Sequence, residues 1–185
     1  MAPAITSLTL YQAVMGQSFT QLAPALQRFH GLRGRHVLSG QVQIAVPASI
    51  GAKLLAVLLG TPLKPCQGAI RFELDAQPGQ ETWLRHFPGK TMRSTLQGAG
   101  PYVTERLGAA TLSFQLTEQN GALNMQLVHM RFLGFACPKW LLPHIIARET
   151  GQPDQLHFEV QAVVPILGLV TRYTGFLTLP TPELT

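Results

Sequence analysis

Charge is scarce in this sequence. Only 12% of its 185 residues are charged, about half the share of roughly 25% found in ordinary soluble domains, while 46% are hydrophobic. Disordered chains are charge-rich and apolar-poor, so that class is excluded. Cysteine is scarce too: Cys66 and Cys137 have no metal-type partner at short spacing, and no zinc site is readable. No apolar run approaches the roughly 18 residues of a membrane-spanning helix. The opening MAPAITSLTLYQAVMG lacks the basic start and continuous apolar centre of a secretory signal, so a cytoplasmic protein with reduced thiols is expected. Acids number 9 against 14 lysines and arginines, giving a net charge of +5. That excess forms no basic run, and GLRGRH at residues 31–36 is its densest patch. Nucleic acid is therefore not an expected partner, because phosphate neutralisation needs clustered charge. Weak attraction to an anionic membrane surface is expected instead.

The familiar catalytic signatures are missing as well. GKT at residues 89–91 has the tail of a phosphate loop, but Leu84 stands where that loop needs its first glycine. FPGK reads instead as a hairpin turn. There is no Gly-x-Gly-x-x-Gly of a dinucleotide fold, no Gly-x-Ser-x-Gly elbow and no His-Glu-x-x-His. No metal or cofactor is expected.

What is present is alternation. Short helices are predicted over residues 7–16, with Thr6 or Ser7 as cap, and over 24–31, opened by Pro24 and stopped by Gly31. A third is predicted over residues 48–60, with Ser49 as cap, Leu54, Leu55, Leu58 and Leu59 as the apolar face and Gly60 as stop. HVLSGQVQIAV before that helix, and almost everything after residue 69, reads as antiparallel strand. In AIRFELD, Ile70, Phe72 and Leu74 share one face; in TLSFQLT, Leu112, Phe114 and Leu116 do. Asn120-Gly121 is the strongest hairpin signal. The fold class is therefore α+β. It comprises a strongly curved antiparallel sheet or partial β-barrel of about nine strands, with two or three N-terminal helices covering one side or end. Residues 1–185 fit a single domain, helical over about 7–60 and a β-meander over about 69–179.

Alternate residues of a barrel strand point inward, and the sequence offers Arg93, Glu105, and Arg172 or Tyr173 as polar groups facing a cavity, with a solvated outer face as the competing expectation for each. An arginine and a glutamate sharing that interior would have to pair, because an isolated buried charge is very costly. His30 is the histidine best placed for chemistry, at a helix end where carbonyls and the dipole can hold it. Cys137 reads as inert, since ACPKW secures no thiolate. The apolar stretch MRFLGFACPKWLLPHIIARET, residues 130–150, reads as a connection, and its part from Met130 to Ile146 rims the cavity, with Trp140 and Leu141 gating the mouth. Packing of the same residues as ordinary core is the competing expectation.

The segments LYQAVMGQSFTQLAPALQRFHG, FPGKTMRSTL, YVTERLG, FLGFACPKWLLP and VPILGLVTRYTGFL, in that order, resemble the bacterial family labelled domain of unknown function 4166. The resemblance runs from about Leu10 to Leu179. His30 with Gly31, Arg93 with Ser94, Glu105 with Arg106, Trp140 with Pro143, and Arg172 with Tyr173 and Gly175 match its recognisable points. Members stand alone or behind oxidoreductase domains resembling saccharopine dehydrogenase or short-chain dehydrogenases. The resemblance thus implies an accessory role near small-molecule or lipid metabolism, with an oxidoreductase partner and no assigned activity. Ala136-Cys137 departs from the family's usual text there, which weakens any case for Cys137 as a shared reactive group.

Three functions fit these readings. The first is a binding module for an apolar or amphipathic small molecule, lipid-like or polycyclic, oriented by Arg93, Glu105 and Tyr173. The second is a cofactor-independent cyclase- or isomerase-type enzyme in the same cavity, with Glu105 or His30 carrying the proton and Arg93 stabilising negative charge. The third is a membrane-peripheral or partner-docking domain that presents Trp140, Leu141, Leu142, Ile145 and Ile146.

Overall fold

The alternation that marks each strand runs past most of its expected ends, so neighbouring strands are long enough to pair around a complete circle. The computed structural model describes residues 8–45, 47 and 49–180. In chain order these form α1 (Leu10–Met15), α2 (Pro24–His30), β1 (Gly34–Ala45), α3 (Ile50–Leu59), β2 (Cys66–Gln77), β3 (Gln80–Phe87), β4 (Lys90–Ala99) and β5 (Tyr102–Leu107). There follow β6 (Ala110–Gln119), β7 (Ala122–Phe132), β8 (Phe135–Ala136), β9 (His144–Gln152), β10 (Gln155–Val164) and β11 (Gly168–Thr178).

Every strand pair is antiparallel, and the order β6-β5-β4-β3-β2-β1-β11-β10-β9-β7 returns to β6. The sheet is thus a closed barrel of ten strands, with β8 paired outside on β7. Closure removes the unpaired edges that nine strands in an open sheet would leave. The first and last strands meet at Gly40↔Leu177 through Ala45↔Arg172. Glycine is required at this seam: a Cβ on Gly40 would collide with the Phe176 carbonyl, and one on Gly175 with the Gln41 carbonyl and the Phe158 ring. The shortest ladder within the barrel wall is β7–β9, from Leu123↔Glu149 to Met125↔Ala147.

The expected partial barrel of about nine strands is corrected by two elements, both inside residues 130–150. Met130 to Phe132 ends β7, the part from Leu133 to Pro143 is a connection holding β8 and a 3₁₀ turn at Lys139–Leu141, and the remainder opens β9. The inward positions of β9 carry Ile145, Ala147 and Glu149, while Ile146 faces out beside Ile145, so apolar and polar residues do not alternate there. The Asn120-Gly121 hairpin forms as expected, with φ of 53° and 79°.

One barrel end is plugged and the other is roofed. Thr9, not Thr6 or Ser7, caps α1, and its side chain forms a capping box with Gln12; Thr6 and Ser7 lie outside the described residues. The helices α1 and α2 bury Leu10, Tyr11, Leu26 and Phe29 in the barrel end, and full burial of each aliphatic or aromatic side chain is worth about 1.5–3 kcal/mol. At the opposite end α3 has Ser49 as cap and Gly60 in the left-handed region at φ 72°. Its inward face is Ala52, Leu55, Ala56 and Leu59, whereas Leu54 and Leu58, expected on that face, are exposed. The roof is pinned at both ends: Ser49 Oγ donates to the Leu167 carbonyl at 2.7 Å, and the Ala109 N–H to the Leu58 carbonyl at 3.1 Å.

Candidate functional site

Strand β3 sets the polar interior. Its inward residues are Glu81, Trp83, Arg85 and Phe87, because the period of two that buries Trp83 and Phe87 carries the charged residues in with them. The Arg85 guanidinium lies 4.8 Å from the centre of the Trp83 ring. Its Nη1 donates to Ser94 Oγ at 2.9 Å and its Nη2 to Glu105 Oε1 at 3.4 Å. A buried cation is tolerated only with such partners. Trp83 Nε1 donates to Glu81 Oε2 at 2.8 Å. Burial raises the Glu81 carboxyl above its ordinary value, despite the lowering effect of His30 and of the Trp83 hydrogen bond.

Beneath this layer, the plug supplies Tyr11 and His30, whose ring centroids are 3.7 Å apart. His30 Nε2 lies 2.7 Å from Glu149 Oε2, while His30 Nδ1 and the Tyr11 hydroxyl have no partner. Burial, reinforced by the charge of Glu149, holds the Tyr11 hydroxyl well above its usual range. Above the layer is a cavity of about 100 Å³ that opens toward α3, with Leu55 and Leu59 as its roof and Met92, Met125 and Met130 in its wall. A second void of about 50 Å³ lies toward the plug, and Trp83, Arg85, Glu149, Val160 and Tyr173 border both. The upper cavity's surface is overwhelmingly apolar, interrupted by Thr61, Arg85, Glu105, Arg148, Glu149 and Thr171. An irregularity in the β10–β11 register at Ala162/Val163 turns both Val170 and Thr171 inward. The Thr171 hydroxyl that it delivers is buried and has no partner among the described residues.

The residues expected from sequence are divided by this geometry. Glu105 and Tyr173 border the cavity, and burial raises the Tyr173 hydroxyl. Arg93 does not: Met92 and Ser94 are its buried neighbours, so strand parity turns Arg93 to solvent. Arg172 is likewise outside, 3.5 Å from Glu159. His30 is buried behind Glu149 and borders neither void. Trp140 and Leu141 do not line the cavity, and Trp140 is exposed; from their segment Met130, Pro143 and Ile145 reach it. Burial raises the Cys137 thiol. Arg85, Glu149 and Thr171 were missed. For Arg85 the signal was present, since Trp83 and Phe87 define the buried face of β3. Among the described residues no three His, Cys, Asp or Glu side chains converge as metal ligands.

No curated protein matches the sequence. Among solved structures, the one titled "Crystal Structure of Rv2717c from M. tuberculosis" is similar at a TM-score of 0.49 and 12% identity, over 86% of this chain and 99% of that one. The family described as Domain of unknown function (DUF4166) matches residues 22–177. The chain belongs to that family.

Proposed function

We propose that this DUF4166 member is a binding protein for a largely apolar small molecule with one polar end, held in the barrel with that end against Arg85 and Thr171. The observation that carries this reading is an apolar void with an unpartnered buried hydroxyl on its wall. Buried polar groups are almost always paired, so an orphan facing a void marks a place for a partner. Arg85 adds capacity: a guanidinium has five N–H donors, and the bonds to Ser94 and Glu105 use two. The cavity of about 100 Å³ is below the roughly 300–1,000 Å³ of pockets for drug-sized ligands. A ligand of that size therefore displaces Leu55 and Leu59 by lifting α3, and the three wall methionines, flexible and polarizable, reshape around it.

The test is native mass spectrometry of the purified protein, joined to titration with an environment-sensitive apolar fluorophore. A co-purifying apolar molecule, displaced by the fluorophore in the wild type and bound about tenfold more weakly by Arg85→Leu, supports the reading. No bound mass and no fluorophore uptake by the wild type refutes it. A second reading, a cyclase- or isomerase-type reaction in the same cavity, is favoured by two carboxylates, Glu105 and Glu149, bordering the void. It requires a turnover that Glu105→Gln abolishes while ligand affinity is kept.

A further inference from the structure

We infer that the α3 end of the barrel docks on the surface of an anionic lipid bilayer. Exposed apolar side chains, the lysines and a lack of acids converge on that end. The loops there join β1 to β2 through α3, β3 to β4, β5 to β6, β7 to β9, and β10 to β11. Hydrogen bonds tie them into one face: Ser49 to Leu167, Ala109 to Leu58, and Leu133 to Ala109.

Large apolar side chains are exposed mostly on this face. On α3, Ile50, Leu54, Val57 and Leu58 point to solvent, opposite the inward face of Ala52, Leu55, Ala56 and Leu59. A helix apolar on both sides is ordinarily enclosed, by protein or by lipid. Around it stand Ile166 at 92% exposure, Phe135 at 79% and Trp140 at 72%. Away from this end, Leu8 and Val37 are such residues among those described. An apolar surface of this kind marks a contact.

Charge then selects the partner. The chain has four lysines, Lys53, Lys64, Lys90 and Lys139, and every one is exposed at this end: on α3, in the loop after it, in the β3–β4 turn and in the Lys139–Leu141 turn. Arg106 and Arg131, exposed near the ends of β5 and β7, add to them. No aspartate or glutamate occurs in residues 46–65, 88–89, 108–109, 133–143 or 165–167. Asp154 and Glu118 lie at the opposite end. Apolar side chains ringed by cations without anions complement a bilayer interface with acidic headgroups, and exposed Trp and Phe are the side chains suited to that depth. Among the described residues no helix is long and apolar enough to cross a membrane, and none is needed for docking. The surface does not depend on what the cavity holds, though it places the roof of that cavity against lipid.

Cosedimentation of the full chain with vesicles of phosphatidylcholine, with and without phosphatidylglycerol, tests this. Binding is expected only with the anionic lipid, and is expected to weaken as salt rises. Trp83 is buried, so the accompanying blue shift of tryptophan emission reports Trp140. Lys53→Gln and Lys139→Gln should each lower the partition about fivefold, and Leu54→Ser about tenfold or more, while Leu8→Ser and Val37→Ser leave it unchanged. No sedimentation, equal binding to both vesicles, or equal loss in Leu8→Ser overturns the inference. So does a concentration-dependent dimer that Leu54→Ser dissolves without vesicle binding, because the face would then join two copies.

Discussion

Replacing Arg85 by methionine keeps most of the side chain's volume and removes its charge, leaving Glu105 buried against apolar walls. The side chains of Arg85 and Glu105 are 9% and 12% exposed, so solvent screens them little. Breaking such a pair costs about 3–5 kcal/mol, because one charge is left uncompensated. For a chain of this size each kcal/mol moves the melting temperature by about 2–4 °C, so Arg85→Met should melt roughly 6–20 °C below the wild type. The double variant Arg85→Met/Glu105→Leu removes both charges, and replacing a buried pair with apolar side chains is often neutral or stabilising. It should therefore recover to within about 1 kcal/mol of the wild type or exceed it. The assay is urea and thermal unfolding followed by circular dichroism, with the denaturant slope checked for constancy. If the double variant is as unstable as Arg85→Met, the loss comes from packing over Trp83 and the electrostatic account is wrong. If Arg85→Met melts with the wild type, the pair has no energetic role.

Other outcomes follow from the same interior. Burial raises the Glu81 carboxyl above its ordinary value of 4.5, so its contribution to stability is fully present below that pH and is lost as pH rises through the folded-state value. Glu81→Gln should therefore gain in melting temperature over the wild type toward neutral pH and lose that gain in acid; a difference independent of pH refutes the assignment. Ser49→Ala removes both the α3 cap and the tie to Leu167, at a cost of about 0.5–2 kcal/mol for the cap. It should speed fluorophore uptake into the cavity in stopped-flow mixing, and unchanged uptake would mean that α3 is not the way in. Gly40→Ala forces a Cβ against the Phe176 carbonyl and should cost about 3 kcal/mol or more. Gly79→Ala meets only open space at φ 73° and should cost about 1 kcal/mol; equal losses in urea unfolding would contradict the seam.

Much of the barrel was legible because its strands alternate cleanly. Ile70, Phe72 and Leu74, or Leu112 and Phe114, are buried as their spacing demands. Strand β9 was not legible, because its inward Glu149 takes its partner, His30, from a helix 119 residues away. No local pattern encodes that meeting. For Arg93 the sequence offers both a cavity-facing and a solvated position, and Met92 and Leu96, the apolar residues that fix parity on β4, take the inward positions and leave it to solvent. The same rule applied to β3 would have found Arg85. The inward Thr171 depended on a register irregularity opposite Ala162/Val163, which alternation alone does not announce. The lysines were visible as four letters, but their gathering at one end arises from the closure of the barrel.

That closure also orders events in time. As the chain emerges from the ribosome, β1 finds β2 early, yet its other edge has no neighbour until β11 has been synthesised. The plug helices come first in sequence and have no finished barrel end to fill until then. Loop-closure entropy makes so distant a pairing slow. Nascent protein therefore passes through an interval with two open strand edges and an uncovered greasy lumen, the condition under which chaperones bind and neighbouring copies aggregate. The two seam glycines, which let β1 and β11 approach without side chains in the way, determine whether that interval ends in a sealed ring.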